Sequence, residues 1–452
     1  MHEISHHLLA AIWQALDGDA ALLERCTFSG DDSLPSVFAT SDLAAASIGA
    51  AGLALASLPG VGGNVAVSRR LASLWFGFTV QPHGWELPPA WDTVAGDYRA
   101  VDRWIRLHTN APHHRAAALA VLQCAAEREA VAQVVARWHA GDLEAAIVAQ
   151  GGCAAAMRSL DEWCAHPQGI ALVDAPLMLR ESWPCGAWTW RPDAARPLQG
   201  IRVLDLTRVL AGPVATRFLA GFGAEVLRID PPGWDEGILI PEVTLGKRCA
   251  RLDLREAGDR TEFERLVAQA DVLVHGYRDG ALDGLGYGAE ARAALNPNLI
   301  DVSLNAYGWS GPWRGRRGFD SLVQMSTGIA DAGMQAQNAA KPVPLPVQAL
   351  DHATGYLIAA AVIRGIHARL TQQCATRWRL SLARTARLLT EAPRPPERAA
   401  WQPLGESDIA PDIEQTSWGP ARRPYAPLTV GEAHMRWSRP ASALGSSDPN
   451  WD

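Results

Sequence analysis

Apolar and polar positions along the chain fall into blocks of different character, and the clearest block runs from Gly200 to Asp230. Arg202-Val-Leu-Asp-Leu206 is short and largely apolar, the make-up of a buried strand in a parallel sheet. Ala211-Gly-Pro213 breaks the run, and Pro213 suits the first turn of a helix, where its missing N–H leaves no bond unmade. Val214 to Ala220 then reads as a crossover helix, Gly221 to Gly223 as its end, and Ala224 to Ile229 as a returning strand. Together they predict one βαβ unit. The alternation resumes after Gly246. A helix is expected from Asp259 or Thr261 to Gln269, strands at Asp271–Val274 and Leu299–Leu304, and a helix from Asp320 to Thr327 that Gly328 ends. A loop from Pro342 to Val347 precedes a helix from Thr354 to Leu370.

The first half is patterned differently. Leu8 to Leu23 has helical period, and Ser41-Asp42 is placed to cap an alanine-rich helix through Ser57. Val65–Val67 reads as a short strand and Arg69–Phe76 as a helix. After a loop at Pro82–Pro89 come a strand at Trp104–His108 and helices at 116–124, 127–139, 142–149 and 159–165. Past Thr390 the density of Pro, Arg and Trp rises without apolar period, the mark of an extended tail on the body or on a partner subunit. The divisions expected are 1–80, 81–175, a connector at 176–198, 199–390, and a tail at 391–452. Asp42-Leu-Ala-Ala-Ala-Ser can be laid over Asp351-His-Ala-Thr-Gly-Tyr, and Val67-Ser68 over Leu380-Ser381, each pair followed by an arginine-bearing helix. Residues 1–80 therefore read as a partial repeat of the later part.

Composition narrows the function classes. A formal net charge of -7 gives no basic field for a nucleic-acid backbone. The cysteines at 26, 124, 153, 164, 185, 249 and 374 are scattered and odd in number, which suits a reducing compartment rather than a disulfide framework. No basic-then-apolar leader is recognised, and the apolar run at Ile48–Leu58 is too short to span a bilayer, so the expectation is a soluble, cytoplasmic protein. GxGxxG is absent from the βαβ turn, which argues against a dinucleotide. His2-Glu-Ile-Ser-His6 formally satisfies HExxH. At a terminus, where fraying is expected, it is not read as a metal site, and no metal is expected elsewhere.

The Gly200–Asp230 segment resembles the opening of the family III CoA-transferases, the group that includes carnitine and formyl-CoA transferases and methylacyl-CoA racemases. Leu245-Gly-Lys-Arg248, Leu252-Asp-Leu254, His275-Gly-Tyr-Arg278-Asp-Gly280, Leu285-Gly-Tyr287, Leu295-Asn-Pro297, Gly308-Trp-Ser-Gly-Pro312, Gly318-Phe-Asp320 and Asp351-His-Ala-Thr-Gly355 follow in family order. Over roughly residues 198 to 370 these motifs identify a member of that family. Arg103-Trp-Ile-Arg-Leu107 and Glu162-Trp163…His166-Pro-Gln168 resemble the family's small domain more loosely. The fold implied is α/β: a Rossmann-like parallel-sheet domain plus a smaller α+β domain, intertwined with a second copy in a homodimer.

Asp351, read as standing just before a helix, meets the positive end of the helix dipole, and the resemblance makes it the nucleophile. Asp42, its counterpart, has Ala46 where Gly355 stands and reads better as a structural cap. Arg208, Arg228, Lys247, Arg248 and Arg278 are the residues the resemblance assigns to CoA; all but Arg228 are read in loops or turns, and Arg228 in a strand. Asp279 replaces the family's proline beside Arg278. Phe319 stands where the racemase branch has histidine, so one half of a two-base pair is missing. His108, His113, His114 and Arg115 form a second polar cluster, able to line an acyl pocket or to reach the carboxylate of an acid substrate. The resemblance implies CoA transfer from an acyl-CoA to a carboxylic acid through an aspartyl anhydride and an aspartyl-CoA thioester. CoA thioester is then substrate, with no permanently bound cofactor, no nucleic acid and no membrane partner. The alternatives are an acyl-CoA racemase or isomerase, or a CoA-binding paralogue with little activity.

Overall fold

The computed structural model describes residues 2–395 and 401–451. Its centre is a seven-stranded sheet. The strands are β1 (Leu179–Pro184), β2 (Arg202–Leu206), β3 (Glu225–Asp230), β4 (Lys247–Arg251), β5 (Val272–His275), β6 (Ile300–Asn305) and β7 (Cys374–Ser381). Their order is β4-β3-β2-β5-β6-β7-β1, and all pairs are parallel except β7 with β1. The chain winds one way from β2 to β4, then returns to lay β5 on the other side of β2. That reversal opens a crevice beyond the C-terminal ends of β2 and β5, the place where doubly wound sheets bind ligands.

Two of the expected divisions are redrawn. The 176–198 connector contains β1, which is the antiparallel edge of the main sheet. The tail carries short strands. Gly419–Arg422 pairs with Gln81–Pro82, and Leu428–Val430 with Val65–Ser68. It is further held by Trp437 stacked on Trp75 and by Trp451 in the core beneath β2–β4. Residues 396–400 of the tail lie outside the described residues. The 81–175 region holds an antiparallel sheet of Gly96–Arg99, Trp104–Leu107 and Ala154–Ala156 covered by helices Pro112–Leu122, Arg128–Val135 and Ala140–Ala149, with its own apolar core.

Three helices pack together beside the sheet, α1 (Thr40–Ala56) against α3 (Ala349–Thr371) and α3 against α2 (Ala211–Gly221), and α2 and α3 border the crevice. Every residue of α1 and α2 is buried, the charged Asp42 and Arg217 included, each in an ion pair. The region before residue 80 repeats the order of the later one. Strand Cys26–Ser29, helix α1, parallel strand Val65–Ser68 and helix Arg69–Trp75 match β6, α3, parallel β7 and helix Leu382–Glu391. Both long helices are entered alike, from Ala39 at φ −75, ψ 56 and from Gln348 at φ −75, ψ 62. Ser68 and Ser381 each accept a bond from the backbone N–H three residues on.

The helix entries correct two expectations. Neither Ser41 nor Asp42 caps α1, which begins at Thr40 with no side-chain cap. Asp42 is buried inside the first turn, accepting from Ser5 Oγ at 2.6 Å and from Arg69 Nη2 at 3.2 Å. Likewise α3 begins at Ala349 rather than Thr354, so Asp351 lies within its first turn.

Candidate functional site

Asp351 is held by an acid on another element. Asp320, the first residue of helix Asp320–Ser326, accepts from the Asp351 backbone N–H at 2.9 Å and also from that of Leu350. A carboxylate from outside therefore satisfies the free N–H groups at the start of α3, as an N-cap side chain would. Gln324 Nε2 donates to the other oxygen of Asp320 and so orients it. Asp351 itself is 7% exposed, and its carboxylate accepts no hydrogen bond from the described residues. Burial first, then the neighbouring Asp320 charge, raises the Asp351 carboxyl well above the ordinary range. Burial likewise pushes Asp320 up to about 6, against the opposing hydrogen bonds.

One turn on, Gly355 lets α3 press against α2. A Cβ there would stand 2.5 Å from the Ala211 carbonyl oxygen and 2.9 Å from Val214 Cβ. Residues i and i+4 share a helix face, so this approach carries Asp351 toward the loop after β2. In that loop Val209 is left-handed at φ 65, a conformation that disfavours a β-branched residue. Its N–H donates to Glu236 Oε1 at 2.6 Å, and both it and Arg208 line the crevice.

The crevice holds a cavity of about 310 Å³, large enough for an acyl group and a thioester but not a whole CoA. Asp351, Arg208, Arg278, Phe319, His113, His114 and Arg317 are all in its wall. Arg208 lies between rings, 4.7 Å from the Trp234 centroid and 5.1 Å from that of Tyr277, and donates to Tyr277 Oη at 3.1 Å. Arg278 is exposed in the loop after β5. Neither guanidinium has a carboxylate partner among the described residues. The 108–115 segment closes the cavity from the small domain, so one chain supplies both walls. Within that segment Arg115 is turned away, bonded to Asp92 at 2.9 Å, and His108 is buried face to face with Phe319 at 3.8 Å.

The other basic candidates do not reach the cavity. Lys247 and Arg248 are in β4 rather than in a loop, and neither lines it. Lys247 Nζ is buried, 2.9 Å from Asp205 Oδ2 and 3.0 Å from the Pro213 carbonyl. Arg228 is buried in β3 and bonded to Asp230 and Glu236. Lys247 and Arg228 thus neutralise buried acids at the sheet. Asp320 is the residue that sequence reasoning passed over. Its signal was the aspartate of Gly318-Phe-Asp320, read there only as a motif match. At the N-terminus His6 packs against Phe28, and no group of His, Cys, Asp or Glu arranged to hold a metal occurs among the described residues. None of the described helices is long and apolar enough to cross a membrane.

A family model, CoA-transferase family III, matches residues 198–399, and the chain is similar to that family over this stretch. Among curated proteins, a probable fatty acyl-CoA transferase of Mycobacterium tuberculosis is 34% identical over 186 residues, 38% of this chain and 47% of that protein. The succinyl-CoA:glutarate CoA-transferase of Mus musculus is 32% identical over 198 residues, 40% of this chain and 45% of that protein. The acetyl-CoA:oxalate CoA-transferase of Acetobacter aceti is 37% identical over 145 residues, 29% of this chain and 37% of that protein. The chain thus spans about half, or less, of the length of these relatives. A crystal structure of a CAIB/BAIF family protein from Brucella suis aligns at a TM-score of 0.38 and 26% identity, covering 50% of this chain and 65% of that one.

Proposed function

We propose that this protein transfers coenzyme A from an acyl-CoA to a carboxylic acid, with Asp351 as nucleophile. The observation that carries this reading is a buried carboxylate that accepts no hydrogen bond from the described residues, in a switch-point cavity where Arg208 and Arg278 have no acid partner among them. A carboxylate stripped of donors and water is a better nucleophile than a solvated one.

In the proposed sequence an Asp351 oxygen attacks the thioester carbonyl carbon, and the C–S bond breaks to release CoA thiolate and leave an aspartyl anhydride. The thiolate attacks the aspartyl carbonyl of that anhydride, expelling the donor acid as carboxylate and leaving an aspartyl-CoA thioester. The acceptor carboxylate attacks this thioester, again freeing thiolate. The thiolate then takes the acceptor acyl group and restores Asp351. Once Asp351 has lost its proton, each step exchanges one acyl bond for another and no further proton needs to be moved. Arg208 and Arg278 neutralise CoA phosphates at the mouth, and Arg208 is also available to the departing thiolate. Phe319 offers no ionisable group, which weighs against α-proton exchange as the reaction. A homodimer is part of the same proposal.

The test is to mix an acyl-CoA with an unlike free acid and follow the new thioester by chromatography. Transfer is expected, and Arg208→Ala should raise KM for acyl-CoA about tenfold, the effect of losing a charge-assisted contact. Tight CoA binding without any exchange would favour a non-catalytic paralogue instead.

A further inference from the structure

Arg208, the cation proposed to meet CoA, has both of its chain neighbours pinned by buried carboxylates. Before it, Thr207 N–H donates to Asp205 Oδ1 at 2.9 Å. After it, Val209 N–H donates to Glu236 Oε1 at 2.6 Å. Glu236 stands in the loop after β3, outside the cavity wall, yet its side chain is only 2% exposed. The same Oε1 accepts from Trp234 Nε1 at 3.0 Å, and Oε2 accepts from Arg228 Nη2 at 2.8 Å. One carboxylate thus joins the turn after β2, the ring beside Arg208 and a cation of β3.

Both bonds from Oε1 bear on Arg208. A β-branched residue at φ 65 is disfavoured and persists only where its surroundings hold it. The buried, charge-assisted bond to Glu236 is such a hold. Released, Val209 can return to negative φ, and the peptide joining it to Arg208 turns with it. The ring of Trp234 lies 4.7 Å from the Arg208 guanidinium, and its N–H is tied to the same oxygen. Charge balance does not require Glu236. Arg228 keeps Asp230 at 2.8 Å and Lys247 keeps Asp205 at 2.9 Å, so a neutral residue at 236 leaves neither cation without an acid.

We propose that Glu236 is a positioning residue for CoA binding: it holds Val209 in its left-handed turn and the Trp234 ring in place, and so keeps Arg208 directed at the CoA end of the substrate. This rests on the CoA-transfer reading and adds the residue that keeps its cation in position.

The experiment titrates coenzyme A into the full chain by calorimetry. Glu236→Ala is expected to weaken CoA about tenfold, as much as Arg208→Ala, the equivalent of one charge-assisted hydrogen bond. Glu236→Gln, which keeps an oxygen for the Val209 N–H, should weaken it less. With Arg208→Ala already present, Glu236→Ala should cause no further loss, since both changes remove the same contact. Adding Val209→Gly to Glu236→Ala should recover part of the affinity, because glycine takes the left-handed turn freely. A purely structural role would predict neither the missing additivity nor the rescue. Full CoA affinity in Glu236→Ala overturns the inference and leaves CoA transfer standing. A further loss from Glu236→Ala once Arg208 is gone also overturns it, because Glu236 then acts on something else. Where Glu236→Ala does not fold, Glu236→Gln is carried through the same cycle. If wild type does not bind CoA, the CoA-transfer reading falls and this inference with it.

Discussion

The backbone N–H of Asp351 donates to a carboxylate oxygen of Asp320 at 2.9 Å, so the acid that positions the nucleophile also opposes its ionisation. Two buried acids this close titrate as a pair. Transfer should therefore rise with pH along an acid limb near the value of about 6 held by Asp320 or above it. Asp320→Asn removes the like charge and should move that limb to lower pH, because Asp351 then ionises more readily. Stability has the opposite slope. Carboxyls held high in the folded protein ionise first in the unfolded chain, so stability falls as pH climbs from about 4 through the folded values. Urea titrations from pH 4 to 8 should show a shallower decline for Asp320→Asn than for wild type. An unmoved acid limb in that variant would mean that the two acids do not interact in solution.

Gly355→Ala should impair the site without touching its chemistry. The added methyl meets backbone and Val214 at 2.5–2.9 Å, and overpacking of this kind costs about 1–3 kcal/mol. It also pushes α3 away from the loop carrying Arg208. A lowered kcat/KM with a lowered urea midpoint is expected. A variant as stable and active as wild type would show that the helices have room to spare.

Glu242 ties three distant parts of the chain together. Fully buried, it bonds Arg217 of α2, Thr79 of the N-terminal region at 2.8 Å and Arg423 of the tail at 3.4 Å. Against the cost of burial, Arg217 and Arg423 hold its carboxyl at about 2, so its contribution is complete above the ordinary glutamate range and is lost as pH falls toward 2. Glu242→Gln leaves buried Arg217 without an acid, while Arg423 keeps Glu414 at 2.6 Å, and should cost about 3–5 kcal/mol. Denaturation at pH 7, with proteolysis of the tail as a second readout, checks this. Unchanged stability would contradict the role given to Glu242.

How much of this was legible in the sequence follows from where the signals lie. The strand–turn–helix–strand of 200–230 was plain, because a five-residue apolar strand and a proline-started helix each leave local marks. The start of α3 was not, because its cap comes from Asp320, 31 residues upstream, and no local pattern encodes a cap in space. Lys247 and Arg228 looked like ligand-facing charges because sequence does not show what a strand residue pairs with. Asp205 in mid-strand and Asp230 at a strand end were the clue, since an acid buried in a parallel sheet requires a cation beside it. The tail's strands of three or four residues are too short for a period of two to register. Reading His113 and His114 as part of an acyl pocket needed only their clustering, whereas placing Arg317 in the same wall needed the fold.

Intact-protein mass spectrometry after incubation with acyl-CoA, with hydroxylamine added to trap activated carboxyls, tests the central claim most directly. Wild type should gain the mass of one hydroxamate, and peptide mapping should locate it at Asp351. Asp351→Asn should gain none. Asp42→Asn, which removes a buried partner of Ser5 and Arg69, should still gain it where folded. A hydroxamate on any other residue, or none on wild type while transfer proceeds, would contradict Asp351 as the nucleophile.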